Sequence, residues 1–252
     1  MLLDSPVNAL LNVECGDIPT VYWSNAQPGN LTPGMIEIWR FDLNSYIDTI
    51  PELYELLNDE EKAKSAKFYN EQDRHMFIAS KALLKSLLSR YLNIEPGKLS
   101  FSFGKNKKPY IQNSFIHFNV SHSGKCILIA VCDEEVGIDV EYYRHMTIQK
   151  EDMYNIFTEA EITFIAGHNP WNEIFHKLWT RKEALVKATS QGIPDDLKGI
   201  PCLNGTHLVN QRVLNSYASW TVYSFEADEY YAASVAFKGG DKKITFNKSL
   251  LK

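Results

Sequence analysis

The stretch Gly137-Ile138-Asp139-Val140-Glu141 decides how this sequence is interpreted, because it places two carboxylates within an apolar strand pattern. Side chains alternate along a β-strand, so Ile138 and Val140 are predicted to face the core while Asp139 and Glu141 share the other face. Their Cα atoms lie roughly 6.6 Å apart on such a strand, which lets both carboxylates reach one cation. Solvated surface acids show the same spacing, so the stretch alone leaves both interpretations open.

A second stretch, Trp179-Thr-Arg-Lys-Glu-Ala-Leu-Val-Lys187, has helical character and carries a third acid. Glu183 and Lys187 are four residues apart, which puts them on one helical face. One interpretation is an exposed ion pair worth a few tenths of a kcal/mol. The other makes Glu183 a third metal ligand and lets Lys187 reach an anion.

Two polar segments lie between long elements. Asn119-Val-Ser-His-Ser-Gly124 ends an apolar strand and could present Ser121 and His122 to a phosphate, although a histidine in a turn is more often simply solvated. Lys105-Asn-Lys-Lys-Pro-Tyr110 is basic and typical of an exposed loop. Further positive charge, with solubility as its ordinary role, comes from Lys62, Lys64, Lys67, Arg74, Lys81 and Lys85.

The composition is that of a globular protein with one large domain or two small ones. The chain has 252 residues, 44% hydrophobic and 23% charged, with a net charge of −5 that disfavours a nucleic-acid binder. Met1–Asp4 does not resemble a secretory signal, and the longest apolar stretch, Cys126–Val131, is too short to span a membrane. A cytoplasmic location is therefore predicted. Buried reduced thiols are favoured for Cys15, Cys126, Cys132 and Cys202.

Periodicity and turn residues predict an alternation of strands and helices after an N-terminal extension without sustained periodicity, residues 1–35. A capping residue at Asn58 and a capping box at Thr158 each start a helical block. Gly192 and Pro194 are expected to end the second block. The predicted elements are a strand at 35–41, helices at about 72–92 and 171–190, a hairpin at 115–132 with its turn at 121–124, a strand at 136–141, a closing hairpin at 219–238 and a basic edge strand or tail.

The two long helical segments resemble each other. Phe77–Lys85 can be laid over Trp179–Lys187 at an offset of 102 residues. Two α+β halves joined near Asp133-Glu134 explain this similarity, while a common amphipathic-helix string explains it equally well.

Taken in order, these motifs closely resemble the Sfp-type 4′-phosphopantetheinyl transferases, the larger class, which activates peptide and polyketide synthases. The motifs are Lys108-Pro109, Ser121-His122, Gly137–Glu141 and Trp179–Lys187, and the resemblance covers about residues 36–237. It implies an α+β fold of two similar pseudo-twofold-related halves, each a small, mostly antiparallel sheet packed with helices. The corresponding division is 1–35 as an N-terminal extension, 36–133 as the N-terminal half, and 134–252 as the C-terminal half with the metal site.

The resemblance also implies the reaction: transfer of 4′-phosphopantetheine from coenzyme A to a serine of an acyl- or peptidyl-carrier protein, with release of adenosine 3′,5′-bisphosphate. Asp139, Glu141 and Glu183 are expected to hold Mg²⁺, with Mn²⁺ as a substitute, since oxygen ligands suit these ions and no Cys/His set supports zinc. Glu183 is expected to take the serine proton, directly or through a metal-bound water. Lys187 is expected to neutralise pyrophosphate charge, and His122 with Ser121 to hold another phosphate oxygen.

The expected coenzyme A contacts are Lys64, Arg74, Lys108 and Pro109, together with the residues just named. The sequence departs from the family pattern here: Glu61 stands where a basic residue is expected before Phe68-Tyr69. This departure leaves the contacts of the 3′-phosphate open.

The sequence leaves two other functions to consider. One is a non-catalytic module that binds coenzyme A or a carrier protein, against which the retention of all three acids and Lys187 argues. The other is a Mg²⁺-dependent nuclease, which the acidic net charge disfavours. Because the chain contains two halves, it is expected to act as a monomer. Its acidic net charge predicts no nucleic-acid partner, and its short apolar stretches predict no membrane partner.

Overall fold

The computed structural model of this chain describes residues 9–144, 150–192, 197–249 and 251. The predictions made for Met1–Asp4 and for Pro194 fall outside these residues. The described part contains two five-stranded sheets and a small two-stranded one, packed with helices. The strands are β1 (Leu10–Asp17), β2 (Ser24–Asn25), β3 (Met35–Asp42), β4 (Ser102–Phe103), β5 (Pro109–Tyr110), β6 (His117–Ser123), β7 (Cys126–Cys132), β8 (Val136–Tyr142), β9 (Gly205–Asn210), β10 (Trp220–Asp228), β11 (Tyr231–Lys238) and β12 (Lys243–Lys248).

Two long helices pack on these sheets and are preceded by shorter ones. The predicted boundaries of both long helices agree with the structure to within a residue or two. The helices are α1 (Ile50–Glu55), α2 (Asp59–Ser65), α3 (Glu71–Leu92), α4 (Lys150–Ile156), α5 (Glu159–Ala166), α6 (Trp171–Thr189) and α7 (Gln211–Leu214).

The two halves of the chain repeat one topology. In the first half β3 leads through α2 and α3 to β6 and β7, and the strands lie in the order β3-β7-β6. In the second half β8 leads through α5 and α6 to β10 and β11, in the equivalent order β8-β11-β10. All of these neighbouring strands are antiparallel. The predicted α+β fold with two similar halves is confirmed.

In both halves, equivalent glutamate contacts join the short helix to the long one. Glu61 and Glu161 each close a capping box at the start of the short helix, α2 or α5. Each glutamate also pairs with a buried lysine of the long helix: Glu61 with Lys85 and Glu161 with Lys182. The capping prediction is confirmed, and the second contact fixes the short helix against the long one.

The prediction of no regular structure before Met35 is wrong. β1 pairs in parallel with β10 and antiparallel with β9, so it lies inside the sheet of the second half. Its alternating burial, with Leu11, Val13 and Cys15 inside, is the period-2 pattern of a strand. The turn residues that follow β1 masked this pattern in the sequence.

The terminal strands cross between the halves. β12 belongs to the last part of the chain, yet it lies between β2 and β3 in the sheet of the first half. It is therefore a strand covered on both sides, although β2 spans only two residues of it. The division of the chain between residues 133 and 134 remains a prediction. Each five-stranded sheet also contains strands that lie outside its own repeat.

The predicted hairpin of β6 and β7 exists, but its turn is shorter than predicted. Ser121, His122 and Ser123 belong to β6, and the chain reverses at Gly124-Lys125, where Gly124 has a φ of 56°. The strand continues through these polar residues because the hydroxyls of Ser121 and Ser123 bond to side chains of β8.

The core consists of separate clusters of buried residues, among them one against α3, one shared by strands of both five-stranded sheets and one against α6. β7 is buried along its whole length, and Ile138 and Val140 face the core as predicted. The four cysteines are buried and free, which confirms the expectation of reduced thiols. In the described part of the chain no helix is long and apolar enough to cross a membrane.

Candidate active site

The site forms at the seam where the two sheets meet. β6 and β8 are edge strands of different sheets, and polar side chains bridge them. Ser121 Oγ donates to Asp139 Oδ1 (2.9 Å), and two residues further Ser123 Oγ donates to Glu141 Oε2 (3.0 Å). Asn119 Oδ1 accepts a backbone N–H of β8 at 2.9 Å. Alternate residues of β6 therefore orient both carboxylates of β8 across the seam.

Gly137 lets α6 approach β8 closely. A Cβ at this position would lie 2.1 Å from Ala184 O and 2.4 Å from Ala188 N, so only glycine fits. The helix backbone rests directly on the strand at this point, and small residues on α6 complete the contact. The glycine before the two acids thus brings Glu183 and Lys187 of α6 beside them.

The other side of α6 is anchored by a buried arginine. Arg181 is 1% exposed, and its guanidinium donates to Ser224 Oγ, to the carbonyls of Cys202 and Gly16, and to Asp17 Oδ1. These contacts attach the helix to β10 and to the N-terminal strand β1. The rotation of α6 is therefore set from both sides.

The three carboxylates predicted to bind metal face one cleft of about 500 Å³. Side chains of both halves line it, so the cleft exists only in the folded whole. The lining residues are Lys64, Phe77, Ser80, Lys81, Val120, Ser121, His122, Asp139, Glu141, Trp179, Glu183 and Lys187.

Burial raises the pKa of each of the three carboxyls, and their mutual repulsion raises it further in two of them. The Asp139 charge is the second cause of the raised pKa of Glu141 and of Glu183. Asp139 itself is 3% exposed, and loss of hydration raises its pKa although Lys187 opposes the effect. Negative charge is thus concentrated where water does not compensate it.

Lys187 contributes the nearest positive charge to this cluster. Its Nζ donates to Asp139 Oδ1 (2.6 Å) and to Ser121 Oγ (3.1 Å). The ammonium therefore pairs with Asp139 on β8, and the helical pair of Lys187 with Glu183 is not the ion pair that forms. About 29% of the lysine side chain stays exposed, so the ammonium remains accessible from the cleft.

His122 lies on the same cleft with its side chain still in contact with solvent. Partial loss of hydration lowers its pKa, and the positive charges of Lys187 and Lys81 lower it further. The free protein therefore disfavours the protonated imidazole, and an incoming anion would favour its protonation.

Two lysines of the first half complete the positive wall. Lys64 Nζ lies 5.3 Å from the centroid of the Phe77 ring, and Lys81 Nζ lies 6.0 Å from it. Burial lowers the pKa of Lys81, with Lys64 among the further causes. An anion placed between these ammonium groups would relieve that repulsion. Arg74, by contrast, is an exposed residue in the first turn of α3 and does not line the cleft.

Lys108 and Pro109 are not brought to this cleft. They line a separate cavity of about 250 Å³ together with His117 and Glu135. The Lys108 ammonium donates to three backbone carbonyls, those of Val136, Lys187 and Ala188. The sequence motif identified the residue, and the structure places its charged group against protein backbone.

The carboxylate cluster fits a hard divalent cation by its donor set and by its unsatisfied oxygens. Asp139 Oδ2 and Glu183 Oε1 are buried and have no hydrogen-bond partner in the part of the chain that the structure describes. Oxygen ligands of this kind suit Mg²⁺. In the described part of the chain no three acidic, histidine or cysteine side chains are already arranged around a common point, and Lys187 holds Asp139 Oδ1. A cation therefore has to compete with this ammonium.

Several cleft residues were missed or undervalued from the sequence. Lys81 was assigned a solubility role, although its position four residues after Phe77 puts both on one helical face. Trp179 was treated as part of a motif, and in the structure its hydrogen bond to Glu141 lowers the pKa of that carboxyl. Ser123 lies two residues after Ser121, so strand alternation was the signal that could have found it.

The fold and the cleft define a two-half α+β protein with carboxylates and ammonium groups facing one space, an arrangement suited to transfer of a phosphate-containing group. The family model of the 4′-phosphopantetheinyl transferase superfamily matches residues 135–236. The model of the N-terminal part of 4′-phosphopantetheinyl transferases matches residues 46–134. The chain belongs to the 4′-phosphopantetheinyl transferase superfamily.

Curated relatives cover much of the chain. The 4′-phosphopantetheinyl transferase HetI of Nostoc sp. is 29% identical over 84% of this chain and 92% of its own length. The 4′-phosphopantetheinyl transferase Sfp of Bacillus subtilis is 24% identical over 71% of this chain and 81% of its own. A putative 4′-phosphopantetheinyl transferase of Synechocystis sp. is 31% identical over 60% of this chain and 64% of its own. The protein is a 4′-phosphopantetheinyl transferase that uses coenzyme A and acts on carrier proteins.

Proposed function

We propose that this enzyme is an Sfp-type transferase that works on acyl- or peptidyl-carrier proteins with Mg²⁺ in the cleft between its halves. The observation that carries the proposal is the meeting of Asp139, Glu141 and Glu183 with Lys187 in that cleft. The carboxylates come from two elements of the second half, β8 and α6. The first half contributes the hydroxyl, imidazole and ammonium groups that face them.

The residues that would hold the cation are Asp139, Glu141 and Glu183. Mg²⁺ bound there would neutralise the negative charge that grows on the pyrophosphate as the reaction proceeds. Mn²⁺ has the same preference for oxygen ligands and is expected to substitute. The charge of the cation would also relieve the repulsion that raises the pKa of these carboxyls.

The reaction forms a bond between the serine oxygen of the carrier protein and the β-phosphorus of coenzyme A. The bond from that phosphorus to the bridging oxygen breaks, and its electron pair leaves with adenosine 3′,5′-bisphosphate. The serine proton goes to a base, for which we propose Glu183. Glu183 lines the cleft, and its Oε1 has no hydrogen-bond partner among the described residues, which suits proton acceptance there.

The phosphates of coenzyme A are proposed to bind the positive wall of the cleft. Lys187 would neutralise pyrophosphate charge, and His122 with Ser121 would hold another phosphate oxygen. Lys64 faces the cleft, which supports its expected role in coenzyme A binding. Lys81 faces the same cleft. Arg74 does not line the cleft, and its expected contact with coenzyme A has no support from this arrangement.

The proposed test is covalent labelling. The full-length protein is incubated with fluorescent coenzyme A, Mg²⁺ and a panel of apo carrier-protein domains, and the carriers are separated by gel electrophoresis. Labelled carrier is expected only when Mg²⁺ is present and when the carrier serine is intact. The matched controls are EDTA and a carrier with alanine in place of that serine.

The alternative function, a module that binds coenzyme A or carrier proteins without catalysis, makes a different prediction. It gives tight binding of coenzyme A by calorimetry and no labelled carrier at any Mg²⁺ concentration. That result would refute the proposal, while labelling of one carrier in preference to others would identify the substrate class.

A further inference from the structure

The C-terminal turn of α6 is tied to the start of β8 by one side chain. A helix leaves its last four carbonyls without intrahelical partners. α6 ends at Thr189, and Ser190 adopts a left-handed conformation with φ 57°. Lys108 Nζ lies 2.7 Å from Lys187 O and 3.2 Å from Ala188 O, so it binds two carbonyls of this turn.

The same ammonium also binds the strand. Lys108 Nζ lies 3.1 Å from the carbonyl of Val136, the first residue of β8. An ammonium has three hydrogens, and these three carbonyls account for all of them. No hydrogen remains for a phosphate unless one of the contacts is broken.

A neighbouring residue of the same loop adds a further contact. Asn106 Nδ2 donates to Ser190 O at 3.0 Å, so the loop caps the helix with two side chains. A cation at a helix C-terminus is favoured because the carbonyl dipoles point toward it. The loop thus provides both the charge and the hydrogen bonds that the end of α6 lacks.

The residues whose carbonyls Lys108 binds are close in sequence to the residues that face the cleft. One of the two carbonyls that Lys108 binds on α6 belongs to Lys187, whose ammonium faces the cleft. The carbonyl on β8 lies three residues before Asp139. Lys108 therefore bridges the two elements that carry the cleft carboxylates.

We propose that Lys108 is a positioning residue that holds the C-terminal turn of α6 on β8, and that its ammonium is not a ligand of coenzyme A. The kinetic part of this inference rests on the proposed function. Without the cap, the last turn of α6 frays and Lys187 loses its fixed position relative to Asp139.

The test compares Lys108→Met with Lys107→Met, an exposed lysine of the same loop. We expect Lys108→Met to lower kcat about 10- to 100-fold, as a misplaced group does, while KM for coenzyme A stays within about threefold. Amide hydrogen exchange over residues 186–190, measured without substrate or metal, should become at least about tenfold faster. Lys107→Met should match the wild type in both measurements.

A rise in KM for coenzyme A with unchanged kcat would identify Lys108 as a ligand and overturn the proposal, as would unchanged exchange over residues 186–190. Should Lys108→Met not fold, Lys108→Gln keeps an amide donor and is judged by the same two measurements. The exchange experiment needs no turnover, so it decides the capping role even if the wild type transfers nothing. Absence of transfer by the wild type refutes the proposed function alone.

Discussion

At the scale of single residues, the cleft concentrates buried negative charge, which lowers the stability of the metal-free fold. The carboxyls of Asp139, Glu141 and Glu183 are partly or fully buried, and each has a raised pKa. Among the described residues, Asp139 alone of the three has an ion-pair partner, Lys187. Such a cluster destabilises the metal-free fold and is kept where a cation or substrate compensates it.

The first prediction concerns Glu183→Gln. The substitution keeps the shape of the side chain and removes a buried charge that repels Asp139. Transfer should fall about 100- to 10,000-fold, the usual contribution of a general base. In EDTA the variant should unfold at a higher temperature than the wild type, with a gain of about 0.5–2 kcal/mol.

Calorimetric melting with EDTA and with Mg²⁺ checks both parts. The wild type should gain stability from Mg²⁺ while the variant gains much less. Near-normal turnover in the variant would remove Glu183 from the mechanism.

The second prediction is the pH dependence of the metal-free protein. Because the folded-state pKa of Glu183 is raised, the folded state holds this proton more tightly than the unfolded state does. The resulting penalty is largest at neutral pH, falls as the pH drops through the folded pKa, and is absent below the unfolded pKa. The stability of the wild type relative to Glu183→Gln should therefore increase from pH 7 toward pH 4.

Urea titrations of both proteins in EDTA give this difference, and subtracting them cancels the groups whose titration does not depend on Glu183. A difference that stays constant over the range, or grows with pH, would contradict the burial of an ionised Glu183.

At the scale of elements, the site depends on the contact between α6 and β8. Gly137 permits the contact, Arg181 fixes the outer side of the helix, and Lys108 caps its end. Lys182, fully buried, pairs with Glu161 and binds the carbonyls of Leu197 and Ile200. In the stretch Trp179–Lys187, the charged residues Arg181 and Lys182 are therefore structural, while Glu183 and Lys187 face the cleft.

The third prediction is that Gly137→Ala separates these two elements. The added Cβ meets backbone atoms of Ala184 and Ala188, which cannot rotate away as a side chain does. We expect a loss of about 1–3 kcal/mol in the free energy of unfolding, with a larger loss of transfer activity. Gly97→Ala is the matched control, since a Cβ at Gly97 meets nothing within 4 Å.

Thermal melts and carrier-labelling rates of the two alanine variants provide the comparison. Equal behaviour of Gly137→Ala and Gly97→Ala would show that the helix tolerates a shift away from the strand.

At the scale of the whole molecule, the two repeats form one connected structure. The first half supplies His122, Lys64 and Lys81 to the cleft, and the second half supplies the three carboxylates. β1 and β12 connect the ends of the chain to both sheets, because β1 lies beside β10 and β12 lies beside β3. One chain therefore contains every group of the proposed site.

The fourth prediction follows from this completeness. The protein should be an active monomer with a mass near 28.9 kDa by gel filtration with light scattering. Its labelling rate per mole of protein should be independent of enzyme concentration from nanomolar to micromolar. A stable trimer, or activity that rises with the square of concentration, would contradict a site built within one chain.

Some parts of this description were accessible from the sequence because they depend on local periodicity. Strand alternation placed Asp139 and Glu141 together, and helical spacing placed Glu183 and Lys187 on one face. The capping boxes at Asn58 and Thr158 were also predictable, since each needs only four neighbouring residues. β1 was missed because its alternation is short and turn residues follow it.

Other parts could not be deduced from local patterns. Which carboxylate pairs with Lys187 depends on how far β6, β8 and α6 lie from one another, and the structure selected Asp139 over Glu183. The direction of the Lys108 ammonium depends on the end of a helix about eighty residues later in the chain. The spacing of residues within a motif determines neither the partner of Lys187 nor the direction of the Lys108 ammonium.

The sequence by itself identified the family through the resemblance of its motifs, and that resemblance implied the two-half α+β fold. Residue types at fixed periods placed the acids of Gly137–Glu141 and of Trp179–Lys187 on shared faces. Only the tertiary structure decided that the acids of these motifs face a seam between two sheets, with Lys187 on Asp139 and Lys108 turned to backbone carbonyls. The physical reason is that a buried charge takes whichever partner the packing brings within hydrogen-bond distance, and packing is a property of the whole chain.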